Sequence, residues 1–176
     1  MKVNFRKFKE SEETPRSTKN WMKLSDGNNR IRIMSDTAVL AKHWGDYKGV
    51  CVGRKNGCPG CLENDLPKAK YVAWVIDRGD AQIKLLEMAN SVMRAIGEMQ
   101  EDPEWTFEEV PMPYDLNVKK SGEGLETRYQ VLGSPRREPV TEPEYEEYSG
   151  LDSTEKIVQA LKDRKIKELG GGNNPK

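Results

Sequence analysis

The single histidine of this 176-residue chain, His43, and all three of its cysteines, Cys51, Cys58 and Cys61, fall within nineteen consecutive positions. Three thiols cannot form a fully paired disulfide framework within one chain, and a chain of this length does not need such staples. The surrounding stretch, 45 to 67, is rich in Gly, Asn, Pro and Cys and is too long for an ordinary connection, so something must pin it. The two-residue gap in Cys58-Pro59-Gly60-Cys61 lets both thiolates reach one ion at about 2.3 Å. Pro59 and Gly60 accept the tight bend that this requires. Thiolates combined with an imidazole favour Zn²⁺ over hard cations. Four protein ligands also close a tetrahedron and leave no position for a catalytic water. The expectation is a structural zinc ion held by His43, Cys51, Cys58 and Cys61.

Other uses of these residues fit less well. Inert buried thiols beside an unrelated histidine leave the clustering unexplained. A thioredoxin-like pair calls for a βαβ pattern, which Cys58 and Cys61 lack. A deaminase-type zinc needs His-x-Glu and Pro-Cys-x-x-Cys, whereas Trp44-Gly45 follow His43 and Gly57 precedes Cys58. The chain has neither a Gly-x-x-x-x-Gly-Lys-Ser/Thr phosphate loop nor a Gly-x-Ser-x-Gly elbow, so no enzyme is expected.

Around this excursion the chain reads as short strands. Trp21 to Leu24, a turn cluster at 25–29 and Arg30 to Met34 predict a strand, a turn and a second strand with one buried and one basic face. Thr37 to Trp44 continues strand-like, and Tyr71 to Asp77 is a continuous apolar strand. Leu85, Leu86, Ala89, Val92, Met93, Ile96 and Met99 recur at three- and four-residue spacings, which predicts an amphipathic helix over about 84–100 with Met88, Met93 and Met99 in its core. Tyr114 to Lys119 and Thr127 to Leu132, joined by Ser121-Gly122-Glu123-Gly124, predict a hairpin. The fold class is therefore mainly β with α elements. A five-stranded OB-type barrel over 21–134 is expected, with an inserted zinc-binding subdomain at about 43–70. Residues 135–150, with three prolines and a run of glutamates, predict an extended acidic linker, 151–169 a C-terminal helix, and 170–176 a disordered tail.

The charges are unevenly placed. Met1 to Met34 carries nine basic and four acidic residues, and 1–20 reads as a flexible basic arm. Glu138 to Glu155 holds seven acids and no Lys or Arg. Such asymmetry suits a polyanion-binding body. Cations interleave with aromatics at Lys42, Trp44, Tyr47, Lys48, Arg54, Lys55, Lys68, Lys70 and Trp74, and on the flanking strands at Arg30, Arg32, Lys119, Lys120, Arg128 and Tyr129. This mixture suits single-stranded nucleic acid, whose phosphates need positive charge and whose unstacked bases offer π-faces. A duplex would call for a basic reading helix, and neither predicted helix has that character. The longest apolar run, Tyr71 to Ile76, has six residues against the roughly 20 of a bilayer span, so a cytoplasmic protein is expected.

Taken together, Trp21 to Leu24, Arg30 to Ile33, the ordered His43, Cys51, Cys58, Cys61 set and the strand from Tyr71 to Asp77 with its helix resemble the single-stranded-DNA-binding proteins of tailed bacteriophages, of the T-even gene 32 type. The resemblance covers about residues 20–132. It implies a zinc subdomain set against an OB barrel and helping to wall a basic cleft that holds the strand without strong sequence preference. It also implies a basic N-terminal arm for contact with a neighbouring protomer, matched loosely by Phe5 to Lys9 and Arg16 to Lys19, and an acidic segment that recruits replication or recombination partners. The expected function is coating and protection of single-stranded DNA in replication, recombination or repair. The alternative is a zinc-ribbon adaptor of a viral replication or transcription complex, recruiting proteins through 138–155 and the last helix.

Overall fold

The computed structural model describes residues 21–170, so the predicted N-terminal arm and nearly all of the predicted tail lie outside the described residues. Eight strands follow in chain order: β1 (Trp21–Met22), β2 (Gly27–Ile33), β3 (Ala38–Trp44), β4 (Lys48–Val50), β5 (Lys68–Asp77), β6 (Gln82–Ala89), β7 (Leu116–Ser121) and β8 (Arg128–Gly133). The helices are α1 (Pro59–Leu62), α2 (Asn90–Met99), α3 (Glu142–Ser149) and α4 (Thr154–Gly170).

All eight strands form one sheet with the path β1-β6-β5-β2-β7-β8, and β3 branches from β5 and carries β4 on its other edge. β1 and β8 end the path unpaired to each other, so the sheet is open and does not close into the expected five-stranded OB-type barrel. β1 also differs from the prediction: it pairs in parallel with β6, Trp21 against Leu85, rather than folding back on β2. The β7–β8 hairpin is as predicted, with Val118 opposite Val131.

β5 organises the sheet. Along one side it pairs with β6, from Lys70–Ala89 to Asp77–Gln82. Along the other it takes β3, from Ala38–Val72 to Lys42–Lys68, and then β2, Ile33–Val75 to Ile31–Asp77. Between β2 and β3 the chain bends at Met34 to Thr37, and two hydrogen bonds carry the ladder across the bend. Met34 N donates to Trp74 O (2.9 Å), and the Ser35 hydroxyl accepts from Trp74 N (2.9 Å). A buried N–H left unpaired at this break would be costly.

The pleat explains why Tyr71 to Ile76 is apolar at every position. Successive residues of a strand point to opposite faces, and both faces of β5 are covered. Ala73 and Val75 join Ile31, Ile33, Leu86, Met88, Leu116 and Val118 in a first core, closed by Val92 and Ile96 of α2. Val72, Trp74 and Ile76 join Met34, Leu40, Leu85 and Val158 in a second core on the opposite face. The same double burial accounts for β6: Leu85 packs in the second core while Leu86 and Met88 pack in the first. An apolar stretch without strict alternation mimics helical spacing, so the predicted helix over 84–100 is in fact a strand to Ala89 followed by a ten-residue helix.

The second face is covered by the C-terminal part of the chain. Val140, Tyr148, Leu151, Ile157 and Leu161 pack against the second core, Trp74 Nε1 donates to Asp152 O (2.8 Å), and Thr154 Oγ1 donates to Asp36 O (3.1 Å). Residues 135–150 are not wholly extended as predicted. Thr141 and Glu144 make a reciprocal capping box, Thr141 Oγ1 accepting from Glu144 N and the Glu144 carboxylate accepting from Thr141 N (2.9 Å), and this starts α3.

Candidate metal centre and basic face

His43 is the penultimate residue of β3, and the pleat turns its imidazole to the side opposite Trp44. There the 45–67 excursion buries it completely. Cys51 continues the ladder just past β4, its N–H donating to Ala41 O (2.9 Å). Gly53 (φ 84°) and Gly57 (φ 71°) sit in the left-handed region and bracket a 3-10 turn at Arg54–Asn56, which returns the chain so that Cys58 N donates to Gly53 O (3.2 Å). Cys58 then precedes α1, with Pro59 at its first position, and Cys61 lies one turn on.

The four ligating atoms of His43, Cys51, Cys58 and Cys61 all lie within 4.8 Å of one another. Cys51 Sγ is 3.4 Å from Cys61 Sγ, and Cys61 Sγ is 3.5 Å from His43 Nε2. Tetrahedral metal–sulfur bonds of about 2.3 Å give edges of about 3.8 Å, so these separations need little adjustment to share one ion. Three further observations fit a metal. All three cysteines are free thiols. Asp65 Oδ2 lies 3.1 Å from His43 Nδ1, which places the ring proton on Nδ1 and leaves Nε2 free to ligate. A Cβ on the buried Gly60 would come within 2.4 Å of His43 Cγ, so the backbone of α1 closes directly on the imidazole.

The thiols respond unequally to this crowding. Burial works against ionisation of Cys58, but hydrogen bonds from the backbone of Cys61 and Val52, the Cys61 side chain and nearby His43 outweigh it and lower the thiol to about 7. Hydrogen bonding to Cys51, then burial and contact with Cys58, push the Cys61 thiol up to about 11. Neither Asp65 nor Gly60 figured among the predicted site residues. The sequence marks Gly60 only as a turn former, and an aspartate four residues past Cys61 belongs to no ligand motif.

The predicted nucleic-acid residues do not form one surface. Directly paired residues share a face of the sheet, and pairing puts Lys42 beside Lys68 and Val50, Trp44 beside Lys48, and Leu40 beside Lys70. Lys42, Trp44, Lys48, Lys68 and Lys70 therefore share the face of the second core. Trp44 is 50% exposed, Lys70 Nζ lies 5.3 Å from the centre of its ring, and Lys42 Nζ contacts Glu87 Oε2 at 2.5 Å. Tyr47, in the turn beyond Trp44, donates to Val50 O (3.1 Å) and has Lys165 Nζ 5.5 Å from its ring centre. Arg54 donates to Cys61 O (2.6 Å) and Asn64 Oδ1 (2.7 Å), bracing the 45–67 excursion, and Lys55 is exposed beside it.

The remaining residues lie elsewhere. Arg32 is 1% exposed: its Nε donates to Asp115 Oδ1 (2.6 Å), and its other nitrogens donate to the Met112 and Glu138 carbonyls. Arg30 lies 2.8 Å from Asp115 Oδ2 and 3.4 Å from Glu138 Oε1. The basic face predicted for β2 is thus turned inward onto a buried carboxylate. Arg78, absent from the prediction, joins it through Asp115 and Glu144. Trp74, 6% exposed, is core. Lys119 and Arg128 lie on the exposed hairpin surface, whereas Lys120 faces Asp26 at 3.7 Å and Tyr129 packs against the first core.

Comparison with known proteins finds a partial likeness. A 65-residue segment, 37% of this chain, is 31% identical to an Escherichia phage T5 protein named "Probable ssDNA-binding protein", and the match spans 24% of that protein's length. This likeness is to a phage protein named a probable single-stranded-DNA-binding protein and not to one of the T-even gene 32 type. No family model and no solved structure matches the chain. No described helix is long and apolar enough to cross a membrane.

Proposed function

We propose that this chain binds single-stranded DNA on the face formed by β3, β4 and β5, and acts by binding rather than catalysis. The observation that carries this is the grouping of Lys42, Lys48, Lys68 and Lys70 around an exposed Trp44. Lysines spaced along a pleated sheet neutralise successive phosphates, and an exposed indole offers a stacking surface worth about 1 to 3 kcal/mol per base whatever the base. The printed name of the T5 relative supports the same ligand. In this reading the ion is zinc, held by the three sulfurs and the imidazole, and its part is structural. It ties 45–67 beneath His43, and because His43 and Trp44 are adjacent on β3, it fixes the strand end that presents Trp44. Coating of exposed strands during replication or recombination is the corresponding biological role.

Gel shift of single- and double-stranded oligonucleotides over a salt series tests the reading. Preference for single strands with affinity falling steeply as salt rises is expected, and indifference to strandedness or salt counts against it. A protein-adaptor reading draws on the exposed Leu62 and Leu66 within the 45–67 excursion (53% and 84% exposed). It predicts partner capture that survives nuclease treatment.

A further inference from the structure

The half-buried side of α4 mixes lysines with apolar residues toward its C-terminal end, where Lys162 and Lys165 lie beside Ile166 and Leu169. Thr154, Val158 and Leu161 recur at four- and three-residue spacings and pack on the second core or its rim. The next positions of the same stripe, four residues beyond Val158 and Leu161, are Lys162 and Lys165, both half-buried where the outward Asp163 and Arg164 are exposed. Lys165 reaches the Tyr47 ring in the turn next to Trp44 and Lys48. The helix therefore turns lysines toward a floor that already carries Lys42, Lys48, Lys68 and Lys70.

Carboxylates in contact with these six lysines are few. Glu87 takes Lys42, and Glu168 takes Lys165 at 3.3 Å. Among the described residues, Lys48, Lys68, Lys70 and Lys162 contact none. Two cationic surfaces set against each other repel unless an anion lies between them, and facing walls of one sign focus the field into the space they share.

We infer that α4 forms the second wall of a groove over the β3–β4–β5 face, and that Lys162 and Lys165 contact the phosphodiester backbone of a single strand whose base stacks on Trp44. This rests on the proposed single-strand binding and assigns the C-terminal helix a place in the site.

The full chain, loaded with zinc, is titrated with a fluorescently labelled oligothymidylate over a salt series, in parallel with Lys162→Gln/Lys165→Gln and Lys68→Gln/Lys70→Gln variants. Losing two phosphate contacts lowers the slope of log affinity against log salt by about 1.4, which at 0.1 M salt is about a 25-fold weaker complex. The helix pair is expected to show this change with an unaltered melting temperature, and Lys165→Arg to keep wild-type affinity. Amine acylation of the wild-type protein supplies a readout that needs no variant: oligonucleotide should protect Lys162 and Lys165. If the wild-type chain and the floor variant behave as single-strand binding requires, but the helix variant keeps wild-type affinity and slope or Lys162 and Lys165 acylate equally with and without DNA, the inference is overturned alone. If the wild-type chain does not bind single strands, the functional proposal itself is overturned, and the groove with it.

Discussion

Asp65 Oδ2 sits 3.1 Å from His43 Nδ1, and the same oxygen lies 3.4 Å from Gly45 N. The carboxylate thus ties the imidazole to the start of the 45–67 excursion while holding Nε2 toward Cys61 Sγ, 3.5 Å away. Groups that orient a ligating histidine in this way typically contribute about 10- to 100-fold in metal affinity. Asp65→Ala should weaken zinc by an amount in that range, measured by competition with a chromophoric chelator, and Asp65→Asn, which keeps one acceptor oxygen, by less. Unchanged affinity in Asp65→Ala would remove the residue from the centre.

Metal binding should depend on pH through the thiols. Only thiolates ligate, so every thiol still protonated must release its proton when the ion enters. Cys58, lowered to about 7, is partly ionised near neutrality, whereas Cys61, raised to about 11, is not. As pH rises from 6 to 8 fewer protons have to be displaced, so apparent zinc affinity should climb and proton release per ion should fall. Chelator competition at pH 6, 7 and 8 measures the first and titration in weakly buffered solution the second. An affinity that is flat or falls with pH contradicts a thiolate centre.

What the sequence reveals and conceals here follows the range of the interactions. The candidate ligand set is legible because Cys58 and Cys61 are held by a local turn, and because all four residues fall within nineteen consecutive positions. The β7–β8 hairpin is legible for the same reason. The strand from Gln82 to Ala89 is hidden because Leu85 and Leu86 serve different cores, which erases the alternation that marks a half-buried strand. Arg32 misleads in another way. The alternation Arg30-Ile31-Arg32-Ile33 correctly marks a strand, but the carboxylate that draws the arginines inward is Asp115, 83 residues beyond Arg32. The capping box that starts α3 lies in the sequence at Thr141 and Glu144, masked by the prolines and acids around it.

Asp115 is fully buried and receives Arg30, Arg32 and Arg78 together. Replacing it with Ala leaves those guanidinium groups facing each other with Glu138 and Glu144 as the remaining carboxylates, both partly exposed. Removing one partner from a buried ionic group costs about 3 to 5 kcal/mol. Asp115→Ala should lower the unfolding free energy by that order in urea titration, while Glu138→Gln, at the exposed edge of the cluster, should cost much less. Equal effects from the two substitutions would show that the cluster is not centred on Asp115.

Trp44 and Trp74 separate binding from folding. Both lie on the same face of the sheet, but Trp44 is half exposed, whereas Trp74 is 6% exposed beneath the C-terminal segment and spends its indole N–H on Asp152 O. Trp74→Ala should open a cavity in the second core and cost about 3 to 5 kcal/mol of stability. Trp44→Ala removes about half as much buried surface as Trp74→Ala and should lower the melting temperature by less. It should, however, weaken a single-stranded oligonucleotide by about 1 to 3 kcal/mol, the worth of one stacked base. Stacking does not depend on ionic strength as phosphate contact does, so this loss should persist at high salt, and the slope of log affinity against log salt should stay that of the wild type. Fluorescence anisotropy at several salt concentrations, paired with thermal denaturation of both variants, reads all of these quantities. A Trp44→Ala protein that melts as early as Trp74→Ala, or one that binds as well as the wild type, would place the indole in the fold rather than in the groove.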